Sequence, residues 1–155
     1  MVFKYICFSI SIAFMSFIIG MIMTSLIRKI DFYAHKLSHL NFVKNETTNK
    51  IMGVGVVKWI VKNTFFKFFN QNLKIHRRVN LTDLRNIRNE MTKSEIDHLF
   101  AFVAVIIFVI VKIFNQEYLF AFIIFMVNII MNLYPSLLQQ QNKRRIDKLI
   151  ARYKC

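Results

Sequence analysis

The sequence predicts an all-α integral membrane protein with about three transmembrane helices, a cytoplasmic interfacial helix and a C-terminal helical hairpin. Of the 155 residues, 55% are hydrophobic and 17 are Phe, whereas only 3 are Gly and 1 is Pro. So few turn-forming residues argue against an all-β fold. The hydrophobic residues are concentrated in segments 5–27, 99–114 and 118–138, which we assign to a single membrane domain covering residues 1–155.

The first apolar segment, residues 5–27, contains no charged side chain. It is long enough to cross a hydrocarbon core of about 30 Å as a helix. A signal peptide would have a shorter apolar region and a small-residue cleavage site of the Ala-x-Ala kind, and neither is visible. We therefore predict a retained transmembrane helix.

The second and third apolar segments form the predicted hairpin. Residues 99–114 are close to the lower length limit for a span, and the long side chain of Lys112 can reach water from inside it. Residues 118–138 are long enough to cross the membrane as a helix. The short polar sequence at 115–117 between them predicts a tight turn that makes the two helices antiparallel.

Residues 51–69, between the first and second spans, carry an apolar stripe. Its members recur at spacings of three and four, as on one face of a helix: Val54, Val57, Val61, Phe65 and Phe68. Lysines lie beside or opposite this stripe, which predicts an interfacial helix lying on the bilayer. A short re-entrant helix is the alternative.

The basic residues border the apolar segments and predict their orientation. The net charge is +14, and the Lys and Arg residues in question are Arg28, Lys29, Arg85, Arg88, Lys93, Lys143, Arg144, Arg145, Lys148, Arg152 and Lys154. By the positive-inside rule, residues 28–97 and the basic tail 143–155 are cytoplasmic, and the N-terminus and the hairpin turn are outside. This predicts a multi-pass protein of the cell membrane. Anionic lipids are expected partners, and nucleic acid is not, because the basic residues form no stripe interleaved with aromatics.

Familiar cofactor and metal motifs are missing from the sequence. Cys7 and Cys155 have no disulfide-framework or zinc-site spacing. His35 and His39 are four residues apart, but no third ligand follows. The sequence also lacks a nucleophile elbow, a phosphate-binding glycine loop and a dinucleotide fingerprint. We expect neither a metal nor a bound cofactor.

Polar residues occur where the two hairpin helices meet water. Glu95 and His98 are three apart, so on a helix a carboxylate and an imidazole share one face and can act as a general base pair. The alternative for residues 94–97 is a capping box at a helix start. We favour capping for Asp97 and function for His98, and the two interpretations are evenly balanced for Glu95. The hairpin geometry predicts that Asn132 and Tyr134 lie at the depth of His98.

The amides of the third segment allow two interpretations. Asn132, Gln139 and Asn142 are spaced by seven and three residues, which puts them on nearly one helix face. They either line a polar site or hold the helices together by hydrogen bonds within the bilayer. We favour the polar site.

Together these motifs resemble a known family. Glu90, Glu95 and His98 precede an apolar hairpin, which is followed by Asn-x-Tyr-Pro-x-x-x-Gln from Asn132 and by Asn-x-x-Arg from Asn142. Over residues 59–148 this pattern resembles the glycosyl-4,4'-diaponeurosporenoate acyltransferases, small bacterial membrane proteins of staphyloxanthin-type carotenoid synthesis. The family usually has Gln-Arg before the late Asn, where this chain has Gln-Gln.

The resemblance implies a membrane acyltransferase that moves a fatty acyl group to a sugar hydroxyl of a glycosylated carotenoid or related glycolipid. It implies His98 and Glu95 as catalytic residues, with acyl-CoA or an acyl carrier protein as co-substrate. The implied substrate-binding residues are Glu90, Asn132, Tyr134, Gln139, Asn142 and Arg145. The alternatives are a non-catalytic membrane subunit and a membrane enzyme acting on another isoprenoid or lipid, such as a reductase or isomerase. The sequence does not indicate an oligomeric state.

Overall fold

The computed structural model describes residues 1–40, 42, 53–63 and 80–153. Over these residues the secondary structure is entirely helical, which confirms the predicted fold class. The α-helices are α1 (Val2–Ile27), α2 (Asp31–His35), α3 (Val54–Asn63), α4 (Leu81–Phe114), α5 (Tyr118–Asn128) and α6 (Tyr134–Arg152). A short 3-10 helix (Leu37–His39) follows α2, and a π-helical segment (Ile129–Leu133) joins α5 to α6.

The chain forms two compact units. The first comprises residues 1–40 and 93–136, and the second comprises residues 41–92 and 137–155. Among the described residues, three helical stretches are long and apolar enough to cross a membrane, namely Val2–Ile27, Leu81–Phe114 and Tyr118–Arg152. Each contains one of the three apolar segments identified in the sequence.

In the first unit, α1 presents its small residues to the protein and its large apolar residues outward. The buried positions recur every three or four residues: Ser9, Ala13, Ser16, Gly20 and Thr24. Large side chains such as Phe14, Ile18 and Ile22 are exposed. In water this arrangement would be unfavourable, whereas in lipid small residues are what allow helix backbones to approach closely. The pattern is that of a membrane helix.

Gly20 lies where the backbones of α1 and α4 come close together. A Cβ atom at this position would overlap the carbonyl oxygen of Asp97 and would come within 3.2 Å of the amide nitrogen of Ala101. Both obstructing groups are backbone atoms, which cannot turn aside as a flexible side chain can. Only glycine therefore permits this contact without a shift of one helix.

The hairpin turn lies at residues 115–117, as predicted. The amide of Glu117 donates to the carbonyl of Lys112 at 2.9 Å, and the amide of Gln116 donates to that of Ile113 at 2.9 Å. With Gln116 at a φ of 61°, these bonds form a Schellman motif that ends α4. Lys112 also pairs with Glu117 at 2.8 Å and lies over the Phe120 ring, which holds its charge near the turn.

The start of α4 differs from the prediction of a helix start at residues 94–97. The helix begins at Leu81, so Asp97 lies far inside it and is not an N-terminal cap. The observed cap is at Asn80, whose Oδ1 accepts from the Asp83 amide at 2.8 Å while Asp83 accepts from the Asn80 amide at 3.4 Å. The span was recognised by its continuous apolar residues. Residues 81–98 are mixed polar and apolar, so the sequence did not indicate that the same helix begins at Leu81.

The second unit has its own apolar cluster, built from the start of α4 and the end of α6. Leu84, Met91 and Ile146 are buried at its centre. Arg88 and Asp147 form an ion pair at 2.5 Å beside it. The expected basic tail at 143–155 is thus helical as far as Arg152, and Ile146 within it is fully buried.

The predicted interfacial helix at 51–69 is described only in part. A helix is present over Val54–Asn63, and Gly53 precedes it with a φ of 71°. Trp59 is exposed, whereas Val54, the first member of the predicted stripe, is completely buried in the protein. Residues 51, 52 and 64–69 of this prediction lie outside the described residues.

Replacing Gly20 by Ala should destabilise the protein by roughly 1–3 kcal/mol, because the added methyl group meets backbone atoms of α4. The matched control is Gly55→Ala, since a Cβ there meets no atom within 4 Å. Unfolding of the detergent-purified protein by titration with sodium dodecyl sulfate measures both. Equal stability of the Gly20→Ala variant and the parent would contradict the close contact.

Replacing Ile146 by Ala should cost about 2–5 kcal/mol, because the site is fully buried and cannot collapse completely around the smaller side chain. Lys148→Ala, on the exposed side of the same helix, should have little effect. Trp59, the single tryptophan, lies in the second unit and provides the fluorescence signal. Equal stability of the Ile146→Ala and Lys148→Ala variants would contradict the burial of Ile146 and would favour an unpacked tail at the end of α6.

Candidate functional site

His98 lies on α4 in the first unit, at the centre of a small polar cluster. Its imidazole packs on the ring of Phe17 from α1, with ring centroids 4.7 Å apart. The side chain of Asn132 is its polar neighbour. The Nδ1 atom is buried and has no hydrogen-bond partner in the part of the chain that the structure describes. The imidazole therefore has neighbours on α1 and in the π-helical segment, and its Nδ1 forms no hydrogen bond with the described residues.

Asn132 connects His98 to two further polar side chains. Its Nδ2 donates to Oδ1 of Asn128 at 2.8 Å and to Oγ of Ser16 at 3.4 Å. Asn128 is completely buried, and its Nδ2 donates to the main-chain carbonyl of Phe102 at 3.1 Å. The cluster thus joins α1, α4, α5 and the π-helical segment.

Asn132 occupies the π-helical segment, and Pro135 gives a physical reason for that irregularity. Proline has no amide hydrogen, and its ring clashes with the carbonyl four residues earlier, here that of Met131, in a regular α-helix. A wider turn over Ile129–Leu133 relieves this crowding. Single π turns inside α-helices occur frequently at functional sites.

Glu95 and Asp97 are both buried on α4 close to His98 in sequence. Glu95 is 0% and Asp97 is 4% exposed, and both interact with other groups of the protein. Buried carboxylates are costly in an apolar environment, so they need such partners. Glu95 precedes His98 by three residues, which places both on one face of the helix.

The remaining predicted residues are divided between the two units. Tyr134 belongs to the first unit and is half-buried. The others belong to the second unit, where Gln139 and Asn142 are half-buried and Glu90 and Arg145 are exposed. The structure brings His98 and Asn132 together, and the assignment of the second-unit residues to substrate binding stays a prediction.

Three members of the cluster were not identified from the sequence: Ser16, Phe17 and Asn128. Asn128 could have been identified from the sequence, because it is an uncharged amide in an otherwise apolar helix and lies four residues before Asn132. Polar side chains in such segments usually face other helices. No sequence pattern indicated Ser16 or Phe17, since their contacts depend on how α1 packs.

Gln140 is the first residue of the Gln-Gln pair that stands where the family usually has Gln-Arg, and it is buried in the second unit. It is 1% exposed, and its Oε1 accepts a hydrogen bond from the amide of Phe42 at 3.1 Å. The neighbouring Lys143 is only 3% exposed. Both side chains thus belong to the interior of the second unit.

Comparison with known families identifies the chain. The family model described as glycosyl-4,4'-diaponeurosporenoate acyltransferase matches residues 28–152. This match includes all the predicted site residues and leaves out the whole of α1. No curated protein and no solved structure matches the chain. On the extent of the family match, the chain belongs to the glycosyl-4,4'-diaponeurosporenoate acyltransferase family.

Proposed function

We propose that this protein transfers a fatty acyl group to a sugar hydroxyl of a glycosylated carotenoid or related membrane glycolipid, with His98 as the general base. The single observation that carries the proposal is the state of His98. One side of the imidazole is held by Asn132 and Phe17, and Nδ1 is buried without a partner among the described residues. A base in this state can accept a proton from a substrate. Family membership supports the acyl-transfer chemistry.

The reaction requires a proton acceptor and an activated acyl group. Nδ1 of His98 takes the proton of the sugar hydroxyl as the hydroxyl oxygen attacks the carbonyl carbon of a thioester. The thioester is acyl-CoA or the acylated form of an acyl carrier protein. The new ester C–O bond forms, the thioester C–S bond breaks, and the imidazolium returns the proton to the leaving thiolate. A positioned general base typically contributes about 10²- to 10⁴-fold to the rate.

Other residues have proposed supporting roles. The Glu95 carboxylate, three residues before His98, is proposed to stabilise the imidazolium during the reaction. The half-buried phenol of Tyr134 is a donor for a sugar hydroxyl or for the developing oxyanion. Glu90, Gln139, Asn142 and Arg145 retain the substrate-binding roles implied by the family motif. Arg145 is exposed, and its guanidinium suits the phosphates of an acyl donor.

A non-catalytic subunit is the second candidate, and one observation favours it. The amides of Asn128 and Asn132 are paired within the protein, as expected for residues that only hold helices together. This interpretation does not explain why Nδ1 of the buried imidazole forms no hydrogen bond with the described residues. A residue that only held helices together would be expected to use its polar atoms in hydrogen bonds. We therefore rank it below the enzyme.

The proposed orientation places the N-terminus and the hairpin turn outside the cell. The basic end of α6, beyond the apolar segment, is placed in the cytoplasm. The basic residues after α1 and in α6, set against the single Lys112 near the turn, support it through the positive-inside rule. Cytoplasmic acyl donors would then meet the enzyme on the side where they are made.

His98→Ala should lower acyl transfer by about 10²-fold or more, because the base is lost while the surrounding helices stay in place. His39→Ala is the control, since His39 is exposed. Lipids extracted from cells that make a glycosylated carotenoid, with parent or variant protein, are measured by mass for the added acyl group. An acylated product formed equally by the His98→Ala variant would exclude His98 as the base. No product from the parent with any glycosylated isoprenoid or diacylglycerol offered would favour the subunit.

A membrane-impermeant maleimide applied to intact cells should label a cysteine at the hairpin turn but not one at the end of the chain. The two single-cysteine proteins are Asn115→Cys with Cys7 and Cys155 replaced by Ser, and Cys7→Ser with native Cys155. Permeabilised cells provide the control for reactivity. Labelling at 155 and protection at 115 in intact cells would reverse the orientation.

A further inference from the structure

We propose that Asn128 and Ser16 are positioning residues that fix the orientation of the Asn132 amide and so make Nδ1 of His98 the proton-accepting nitrogen. The catalytic use of that nitrogen rests on the function proposed above. The hydrogen-bond arrangement itself does not. Neither residue belongs to the motif that identifies the family.

The arrangement begins at a backbone group that can only accept. The carbonyl of Phe102 receives the Nδ2 hydrogen of Asn128 at 3.1 Å. If the Asn128 amide were turned over, its Oδ1 would face that carbonyl and two acceptors would oppose each other. Asn128 is completely buried, so no bulk water can relieve such a clash. The Phe102 carbonyl therefore fixes which end of Asn128 faces Asn132.

The orientation of Asn128 then fixes that of Asn132. The Oδ1 of Asn128 accepts from Nδ2 of Asn132 at 2.8 Å, and a turned Asn132 would again oppose two oxygens. Ser16 strengthens the same choice. Its hydroxyl donates to the Ala13 carbonyl at 2.8 Å, so its oxygen is left to accept the second hydrogen of Asn132 Nδ2 at 3.4 Å.

Asn132 can therefore offer His98 only its Oδ1, which accepts and cannot donate. The imidazole nitrogen that meets it must carry a hydrogen. Because Nδ1 has no partner among the described residues, that nitrogen is Nε2. In a neutral imidazole a proton on Nε2 leaves Nδ1 with a free lone pair. The chain of amides thus selects one tautomer and one basic nitrogen.

Ser16 lies on α1, outside residues 28–152 that match the family. The first helix consequently contributes to the state of the site as well as to membrane insertion. Gly20, one turn further along α1, sets the close approach to α4. That approach supports the placement of Ser16 beside Asn132.

Nitrogen-15 NMR of the detergent-purified full chain, labelled at histidine, tests the tautomer directly. A spectrum of the His98→Gln variant identifies the His98 signals. At a pH where His98 is neutral, the parent should show hydrogen on Nε2 and none on Nδ1. Asn128→Leu, which keeps the branched shape of the side chain and removes its hydrogen bonds, and Ser16→Ala should each show a mixture of tautomers. Asn86→Leu and Ser11→Ala, at exposed positions of α4 and α1, are the controls and should match the parent.

The second measurement separates positioning from packing. Asn128→Leu should lower kcat for acyl transfer by up to about tenfold, the effect of one hydrogen bond, with KM nearly unchanged. A parent-like tautomer in Asn128→Leu, or hydrogen on Nδ1 in the parent, would overturn the inference. Since the spectra need no substrate, they decide the inference even if His98→Ala shows that the proposed reaction is wrong.

Discussion

The hydrogen bond from Asn128 to the carbonyl of Phe102 determines the direction of the polar contacts around His98. A helix interior ordinarily uses its carbonyls for its own amides, and a second lone pair is left for a side chain from a neighbouring helix. In an apolar segment an amide that lacked this partner would lose its hydrogen bonds to water without replacement. Asn128 therefore faces α4, and the orientation of Asn132 follows from it.

Close helix packing is the second requirement, because a hydrogen bond of about 3 Å between helices needs short side chains and near backbones. The small buried face of α1 supplies this condition: Ser16 reaches Asn132, and Gly20 lies against the backbone of α4. The large side chains on the opposite face of α1 remain outside, where hydrocarbon is the expected surrounding. One pattern of residues thus serves both membrane insertion and the construction of the cluster.

The sequence predicted the features that depend on hydrophobicity and charge, and it failed where the result depends on packing. The three apolar segments and the turn at 115–117 were evident because long apolar stretches with at most one charged residue are typical of membrane-spanning helices. The start of α4 was misplaced, since residues 94–97 carry a capping pattern that also fits inside a helix when its carboxylates have partners. Pro135 predicted a disturbed helix, but the π turn that accommodates it carries no separate pattern in the sequence.

The candidate site shows the same division. His98, Glu95 and Asn132 were recognisable because polar residues are conspicuous beside an apolar span and match a family motif. Ser16 was not, since serine is common in membrane helices and usually bonds its own backbone, as Ser11 does with Cys7. The difference between the two serines is their position on α1: Ser11 is exposed and Ser16 faces Asn132. A motif thus identifies which residues can carry the chemistry, whereas the orientation of each is set by neighbours that the motif does not contain.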